Sequence, residues 1–133
     1  MRIGELAEAT GCNVVTIRYY ERIGVLTPAV RRANNYRDYD ASHLRRLRFV
    51  CRMRALGFSL AQVRQFLDLI DKQDYSCEQI RAIAQEHLDA VRDRRRDMER
   101  MEATLVGLLG ECQGGDSPDC SLLERLFDDP TLG

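Results

Sequence analysis

The 133-residue sequence holds no tryptophan, two histidines, three prolines and, among 20 basic residues, a single lysine, Lys72. No apolar run comes near the ~18 residues that a membrane-spanning helix needs, and the N-terminus lacks the apolar core of a secretory signal. These absences predict an intracellular, cytoplasmic protein with no membrane partner. Equally missing are a nucleophile beside a base, a glycine-rich phosphate loop and a paired-carboxylate acid/base site, so the sequence predicts no enzyme. The near-absence of lysine leaves arginine as the basic side chain, the type suited to bidentate contact with phosphates or base edges. The length allows one modest domain, or a small domain with an extended arm.

What is present is unevenly placed. Net charge is −1, yet residues 1–74 hold 13 basic against 8 acidic side chains and residues 75–133 hold 7 against 13. A positive front half predicts a polyanionic partner there, and the acidic rear another task.

The longest pattern lies between Cys77 and Cys112, from about Gln79 to Glu111. Apolar or small residues return at Ile80, Ala84, Val91, Met98, Met101, Leu105 and Leu108, with charges such as Arg81, Glu86, Arg92, Asp97 and Arg100 between them. No proline interrupts the run. The spacing predicts one helix about 50 Å long, with a narrow apolar seam that requires a partner helix. Cys77 and Cys112 fall at its opposite ends and cannot meet within one chain. A two-fold antiparallel homodimer would set Cys77 beside Cys112 of the partner. The same register brings Ile80 near Leu109, Ala84 near Leu105, His87 near Met101 and Val91 near Met98, with Arg94 and Arg95 at the centre. His87 reads as a packing or hydrogen-bonding residue.

Residues 2–9 form a short amphipathic pattern, Thr10–Asn13 a tight turn with Asn13 as cap, and Val14 to about Arg22 a second short helix. Two such helices across a glycine-containing turn predict a helix-turn-helix. Its second helix would enter the major groove, with Val15, Thr16, Arg18 and Tyr19 outward and Val14, Ile17 and Tyr20 inward. VRRANNYRDYD then predicts a small hairpin turning at Asn34–Asn35. Its Arg31, Arg32 and Arg37 are candidates for phosphate contact. Tyr36 and Tyr39 are equally open to donating a hydroxyl to phosphate or to packing the wing onto the core. A third helix over about His43–Leu56 carries Leu44, Leu47, Val50, Cys51 and Leu56 as its apolar positions. Arg45, Arg46, Arg48, Arg52 and Arg54 on its other faces would reinforce DNA contact. A fourth helix follows from Leu60 to about Asp71, capped by Ser59.

After the long helix, Gly114, Gly115 and Pro118 exclude helix, so Cys112 and Cys120 bracket a loop. Ser121–Phe127 is a short terminal helix, followed by a frayed tail. Cys12 and Cys51 read as structural thiols. Cys112 and Cys120 with Cys77 of a partner offer about three sulfur ligands, and Cys120 sits where the helix dipole favours thiolate. Thiolates select soft ions, namely Hg(II), Cd(II), Pb(II), Zn(II) or Cu(I), rather than Mg, Ca or Mn. Asp116, Asp119 or water could add an oxygen ligand.

MRIGELAEATGCNVVTIRYYERIGVL, RRANNYRDY, LRRLRFVCRMRALGFSLAQVRQFL and the CQGGDSPDCSLLERL tail resemble the MerR family of transcriptional regulators over essentially the whole chain. The resemblance implies a mainly α fold in three parts: a winged helix-turn-helix head over 1–75, an antiparallel coiled-coil helix over 76–111, and a metal-binding loop and terminal helix over 112–133. It implies a homodimer gripping a palindromic operator in double-stranded promoter DNA. The apo form represses, and the metal-bound form bends and untwists the DNA so that RNA polymerase can engage the same promoter. Groove contacts would come from Val15, Thr16, Arg18 and Tyr19, wing contacts from Arg31, Arg37 and Tyr39, and metal ligands from Cys112, Cys120 and the partner's Cys77. Copper(I), silver and gold sensors of the family resemble this chain in the loop but generally carry serine in place of Cys77. Zinc, cadmium, lead and mercury sensors carry cysteine there, and zinc sensors tend to add loop ligands that this chain lacks. The resemblance therefore favours Hg(II), Cd(II) or Pb(II). A coinage-metal sensor and a thiol redox sensor using Cys112 and Cys120 stay open as alternatives.

Overall fold

The computed structural model describes residues 1–33 and 36–132, and the chain divides into two compact units, Met1–Ser76 and Cys77–Gly133. In the first unit, α1 (Ile3–Thr10) stops where Gly11 takes φ 71°, a left-handed conformation that glycine adopts without strain. The turn is set on both sides. The Thr10 hydroxyl donates back to the Leu6 carbonyl at 2.8 Å, and the Thr16 N–H donates to the Asn13 side chain at 3.0 Å, which opens α2 (Val14–Arg22). Ile17 and Tyr20 are buried, Val14 is half-buried, and Val15 is 74% exposed, the helical alternation that the sequence predicts.

Beyond α2 the chain makes a two-stranded antiparallel wing, β1 (Val30–Arg31) against β2 (Arg37–Asp38), with Val30 opposite Asp38 and Arg31 opposite Arg37. The predicted Asn34–Asn35 turn lies outside the described residues. Asp40 caps α3 (Ala41–Ala55), so the helix begins two residues before the expected His43. His43 completes the cap: its Nδ1 lies 3.1 Å from the Asp40 backbone nitrogen and 2.9 Å from the Asp40 Oδ1, and its Nε2 lies 3.1 Å from the Pro28 carbonyl oxygen. This buried ring therefore ties the start of α3 to the base of the wing.

Leu56, expected in the core, falls one residue beyond α3 and is exposed; Phe58 takes that place, edge-on to Phe66 at 5.6 Å. Ser59 and Gln62 form a reciprocal capping box for α4 (Leu60–Lys72), which buries Val63, Phe66 and Leu67. Helices α1, α2, α3 and α4 pack into one small bundle around Leu6, Ile17, Leu26, Leu47, Val50 and Val63. Each such side chain contributes about 1.5–3 kcal/mol on burial.

The second unit is built differently. Helix α5 (Cys77–Glu111) runs for 35 residues and buries one side chain, Leu108. Helix α6 (Ser121–Asp128) packs against α5 and is followed by a single 3-10 turn, Pro130–Leu132, where a frayed tail was expected. Among the described residues no helix is long and apolar enough to cross a membrane.

Candidate nucleic-acid interface and thiol loop

Helix α2 turns Val15, Arg18 and Tyr19 to solvent, with Thr16 half-buried beside its cap. Because α2 follows a fixed turn and buries Ile17 and Tyr20, this outward face is presented by packing rather than by chance. The Arg22 guanidinium lies over the Tyr19 ring at 5.5 Å. Between α2 and the wing is a hollow of about 430 Å³ lined by Arg18, Arg22, Arg31 and Arg37, together with Glu21, Pro28 and Ala29. Four guanidinium groups around one opening, with a single carboxylate, make a surface suited to phosphate oxygens.

The remaining wing residues divide. Arg31 and Arg37 are exposed, while Arg32 donates to Asp38 through both Nε (3.0 Å) and a terminal nitrogen (2.7 Å). The Met1 amino group and Arg32 hold the Asp38 carboxyl below the usual carboxylate range. Tyr36 stacks under the Arg2 guanidinium at 4.3 Å. Tyr39 corrects an expectation. It is 1% exposed, lies edge-on to His43 at 5.3 Å, and belongs to the core instead of reaching a phosphate. It lies one residue past the two-residue strand β2, so no strand alternation reaches it.

Two arginines of α3 are engaged within the head, Arg46 half-buried and Arg54 exposed. Arg46 donates to the Val25 carbonyl at 2.8 Å and pairs with Asp71 at 2.8 Å, so it staples α3 to α4. Arg54 donates to the Phe58 carbonyl at 2.9 Å. Arg45, Arg48 and Arg52 are exposed. Sequence reasoning missed Glu21 and Arg22. Arg22 stands four residues after Arg18, one helical turn along the same face, and that spacing was the available signal.

Cys12 and Cys51 are neighbours, joining the helix-turn-helix turn to α3. Burial first, and then Cys51, pushes the Cys12 thiol up to about 11, so it stays protonated at neutral pH and suits the structural role expected of it. The other three thiols lie in the second unit. Cys77 is the first residue of α5 and is exposed. Cys112 follows the last residue of α5, and Cys120 is the N-cap of α6; both are half-buried and line one hollow of about 550 Å³ with Glu111, Asp119 and Glu124. The loop between them turns through Gly114 and Gly115, at φ 76° and 105°. Arg125 of α6 pairs with Glu111 at 2.7 Å and with Asp129 at 3.1 Å, and the Ser121 hydroxyl donates to the Glu111 carbonyl at 3.4 Å. These contacts hold the two half-buried thiols at one end of α5, while Cys77 stands about 50 Å away along the same helix. Among the described residues of the single chain, no three metal-ligating side chains converge.

Comparison with known proteins gives the head its lineage. Residues 1–70 match the MerR HTH family of regulatory proteins, and residues 44–108 match the MerR DNA-binding family. The chain belongs to the MerR family. It is 43% identical to the HTH-type transcriptional regulator HmrR of Rhizobium leguminosarum bv. viciae, over 96% of this chain and 98% of the relative. It is 33% identical to the mercuric resistance operon regulatory protein of Bacillus cereus, over 95% and 96%. Among solved structures it resembles the transcription regulator PbrR691 of Ralstonia metallidurans CH34 in complex with lead(II), with TM-score 0.78 and 36% identity over 95% of this chain and 98% of that one. The MerR-family chain is thus a DNA-binding regulator and not an enzyme.

Proposed function

We propose that this MerR-family protein is a metal-responsive transcriptional regulator whose antiparallel homodimer grips a palindromic operator, represses without metal, and activates by distorting the DNA when a soft divalent ion binds. The observation that carries the reading is the bare seam of α5. Val91, Leu105 and Leu109 are exposed, and Met98 is 70% exposed, although they recur at the spacing of a coiled-coil core. The same three-and-four spacing, continued outward, reaches Cys77 at one end and Cys112 at the other. A helix of this length, with exposed pairs such as Arg96–Asp93 worth only tenths of a kcal/mol, needs its seam covered to be stable. A second copy in reverse direction covers it and carries its Cys77 to the Cys112–Cys120 hollow.

The donor set fits a soft ion. Cys112 and Cys120 would hold it from the loop, with Cys120 at a helix N-terminus that favours thiolate, and the partner's Cys77 would be the third ligand. Hg(II), Cd(II) and Pb(II) suit three thiolates, with Zn(II) a weaker fit. Drawing one ligand from the start of one α5 and two from the end of the other makes occupancy sensitive to how the two chains sit together. The bound ion supplies the bonds that favour one such arrangement. The heads follow, with Val15, Thr16, Arg18 and Tyr19 in the major groove and Arg31, Arg32 and Arg37 on the backbone, and RNA polymerase reads the altered promoter.

A second reading has its own observation. Within the second unit, Cys112 and Cys120 of a single chain line one hollow, and two thiolates favour linear Cu(I), Ag(I) or Au(I). Anaerobic titration of reduced protein with Hg(II), Cd(II), Pb(II), Zn(II) and Cu(I), read from thiolate charge-transfer absorbance, separates the two. The divalent reading expects Cys77→Ser to leave Cu(I) or Ag(I) binding and to abolish the response to divalent ions, with Cd(II) affinity lost and Hg(II) affinity lowered. Unchanged affinity for those ions in C77S, with tight Cu(I) binding, would establish the coinage-metal reading instead.

A further inference from the structure

The arginine-lined hollow of the head contains one carboxylate, and its contacts extend beyond balancing charge. Glu21 is nearly buried, with its side chain 12% exposed. Its Oε1 accepts the Ala29 N–H at 3.0 Å, which fixes the base of the wing to α2, and its Oε2 faces the Arg37 guanidinium at 3.6 Å. That second contact is long for a charge-assisted hydrogen bond, and Arg37 is otherwise half open to solvent. Behind the pair stands Tyr39. Its ring is buried, and its hydroxyl makes no hydrogen bond of good geometry among the described residues; burial first, and then the nearby Glu21 carboxylate, raise its pKa, while Arg37 lowers it. A buried hydroxyl without a partner is costly to the free protein, and here it sits next to a carboxylate whose cation is loosely held.

We propose that Glu21, Arg37 and Tyr39 form a hydrogen-bond relay for DNA binding: Arg37 leaves Glu21 for a backbone phosphate, and the Tyr39 hydroxyl donates to Glu21 in its place. No proton moves between residues and no covalent bond changes. The exchange solves a specific difficulty. If Arg37 left without replacement, Glu21 would be a nearly buried carboxylate with one backbone donor, and the wing's attachment through Ala29 would weaken as the wing engaged DNA. With the hydroxyl available, Arg37 can serve the phosphate while Glu21 continues to hold the wing. Glu21 and Tyr39 are positioning residues, since neither needs to touch DNA. The relay rests on the DNA-binding reading of the head.

The test is a double-mutant cycle on the full-length dimer with a random-sequence duplex at low salt, because a phosphate contact does not depend on base sequence. Tyr39→Phe removes only the hydroxyl. The relay expects Y39F to keep or raise the thermal midpoint of the free protein while weakening DNA binding about tenfold, the size of one hydrogen bond to a charged group. In an Arg37→Ala background the same change should alter affinity by less than about twofold, because the exchange no longer occurs. R37A should lower the slope of log affinity against log salt by about one, and Y39F should leave that slope unchanged. Glu21→Gln keeps an acceptor for Ala29 and frees Arg37, so it should bind at least as tightly as wild type and be insensitive to Y39F; this variant decides the matter if Y39F does not fold. Equal loss on Y39F with and without Arg37, no loss on Y39F, or weakened binding by E21Q would each overturn the relay. A wild-type protein that binds no duplex would remove the DNA-binding reading itself, a failure distinct from a cycle without coupling.

Discussion

The two units of this chain satisfy the same hydrophobic demand in opposite ways. Of the 14 buried apolar side chains among the described residues, 13 lie in Met1–Ser76 and one, Leu108, in the unit that follows. The head closes its own core. The long helix leaves Val91, Met98, Met101 and Leu105 exposed, the seam that the proposed second copy would cover. In the proposed reading, a self-contained reader of DNA is joined to an element completed by association, and a shared metal site would exploit that dependence.

Charging the seam should break this contrast most severely. Val91→Asp with Met98→Asp buries carboxylates in the proposed interface. Sedimentation should show monomers at micromolar concentration, and operator affinity should fall about 10²–10⁴-fold as two-site engagement is lost. Far-UV signal from the head should persist. A double variant that remains dimeric would mean that the seam is covered by something other than a second copy.

Leu47→Ala, in the centre of the head, is the complementary lesion. It should cost about 2–5 kcal/mol in chemical denaturation, with the dimer intact by sedimentation below the transition. Coincident melting of head and dimer would erase the distinction between the units.

Smaller effects sharpen the account of the reading surface. Arg18→Ala should weaken a duplex selected by the protein from a random pool by about 1–3 kcal/mol and relax its sequence preference. Arg46→Ala should act on stability instead, since its guanidinium serves Val25 and Asp71. Competition binding against mutated duplexes, read beside thermal melts, distinguishes the two.

The smallest expected effect concerns acid. Hydrogen bonds from the Ser42 hydroxyl and then from the start of α3 lower the Asp40 carboxyl from 3.8 to about 2. A carboxyl depressed in the folded state contributes its stability above the unfolded value and loses it as pH falls through the folded one. The head should therefore lose stability between pH 4 and 2, and Asp40→Asn should remove that part of the pH dependence in acid titrations followed by circular dichroism.

How much could be read without coordinates varies with how local the cause is. The faces of α2, the Asn13 and Ser59 caps and the extent of α5 follow from period and capping chemistry, which act within one turn. Arg46 looked like its exposed neighbours because its partners, Val25 and Asp71, are set by tertiary packing. Tyr39 could not be assigned a side, since it follows the two-residue strand β2 (Arg37–Asp38) and no regular alternation reaches it. The contact between Cys12 and Cys51 joins α3 to a distant turn, and nothing local announces it. The thiol loop was legible as a loop with two sulfurs, and the proposed third ligand, Cys77 of a second copy, came from the spacing of the long helix, a contact that a single chain does not make.

The central claim is that each metal pocket draws residues from both copies. Chains carrying C77S and chains carrying C112S with C120S should each fail to bind Cd(II) as homodimers. After the two are mixed and allowed to exchange subunits, half of the dimers would hold one intact pocket, and charge-transfer absorbance should return to about a quarter of the wild-type level for random pairing. Absorbance that remains at baseline in verified mixed dimers would contradict the shared pocket and place the ligands within one chain.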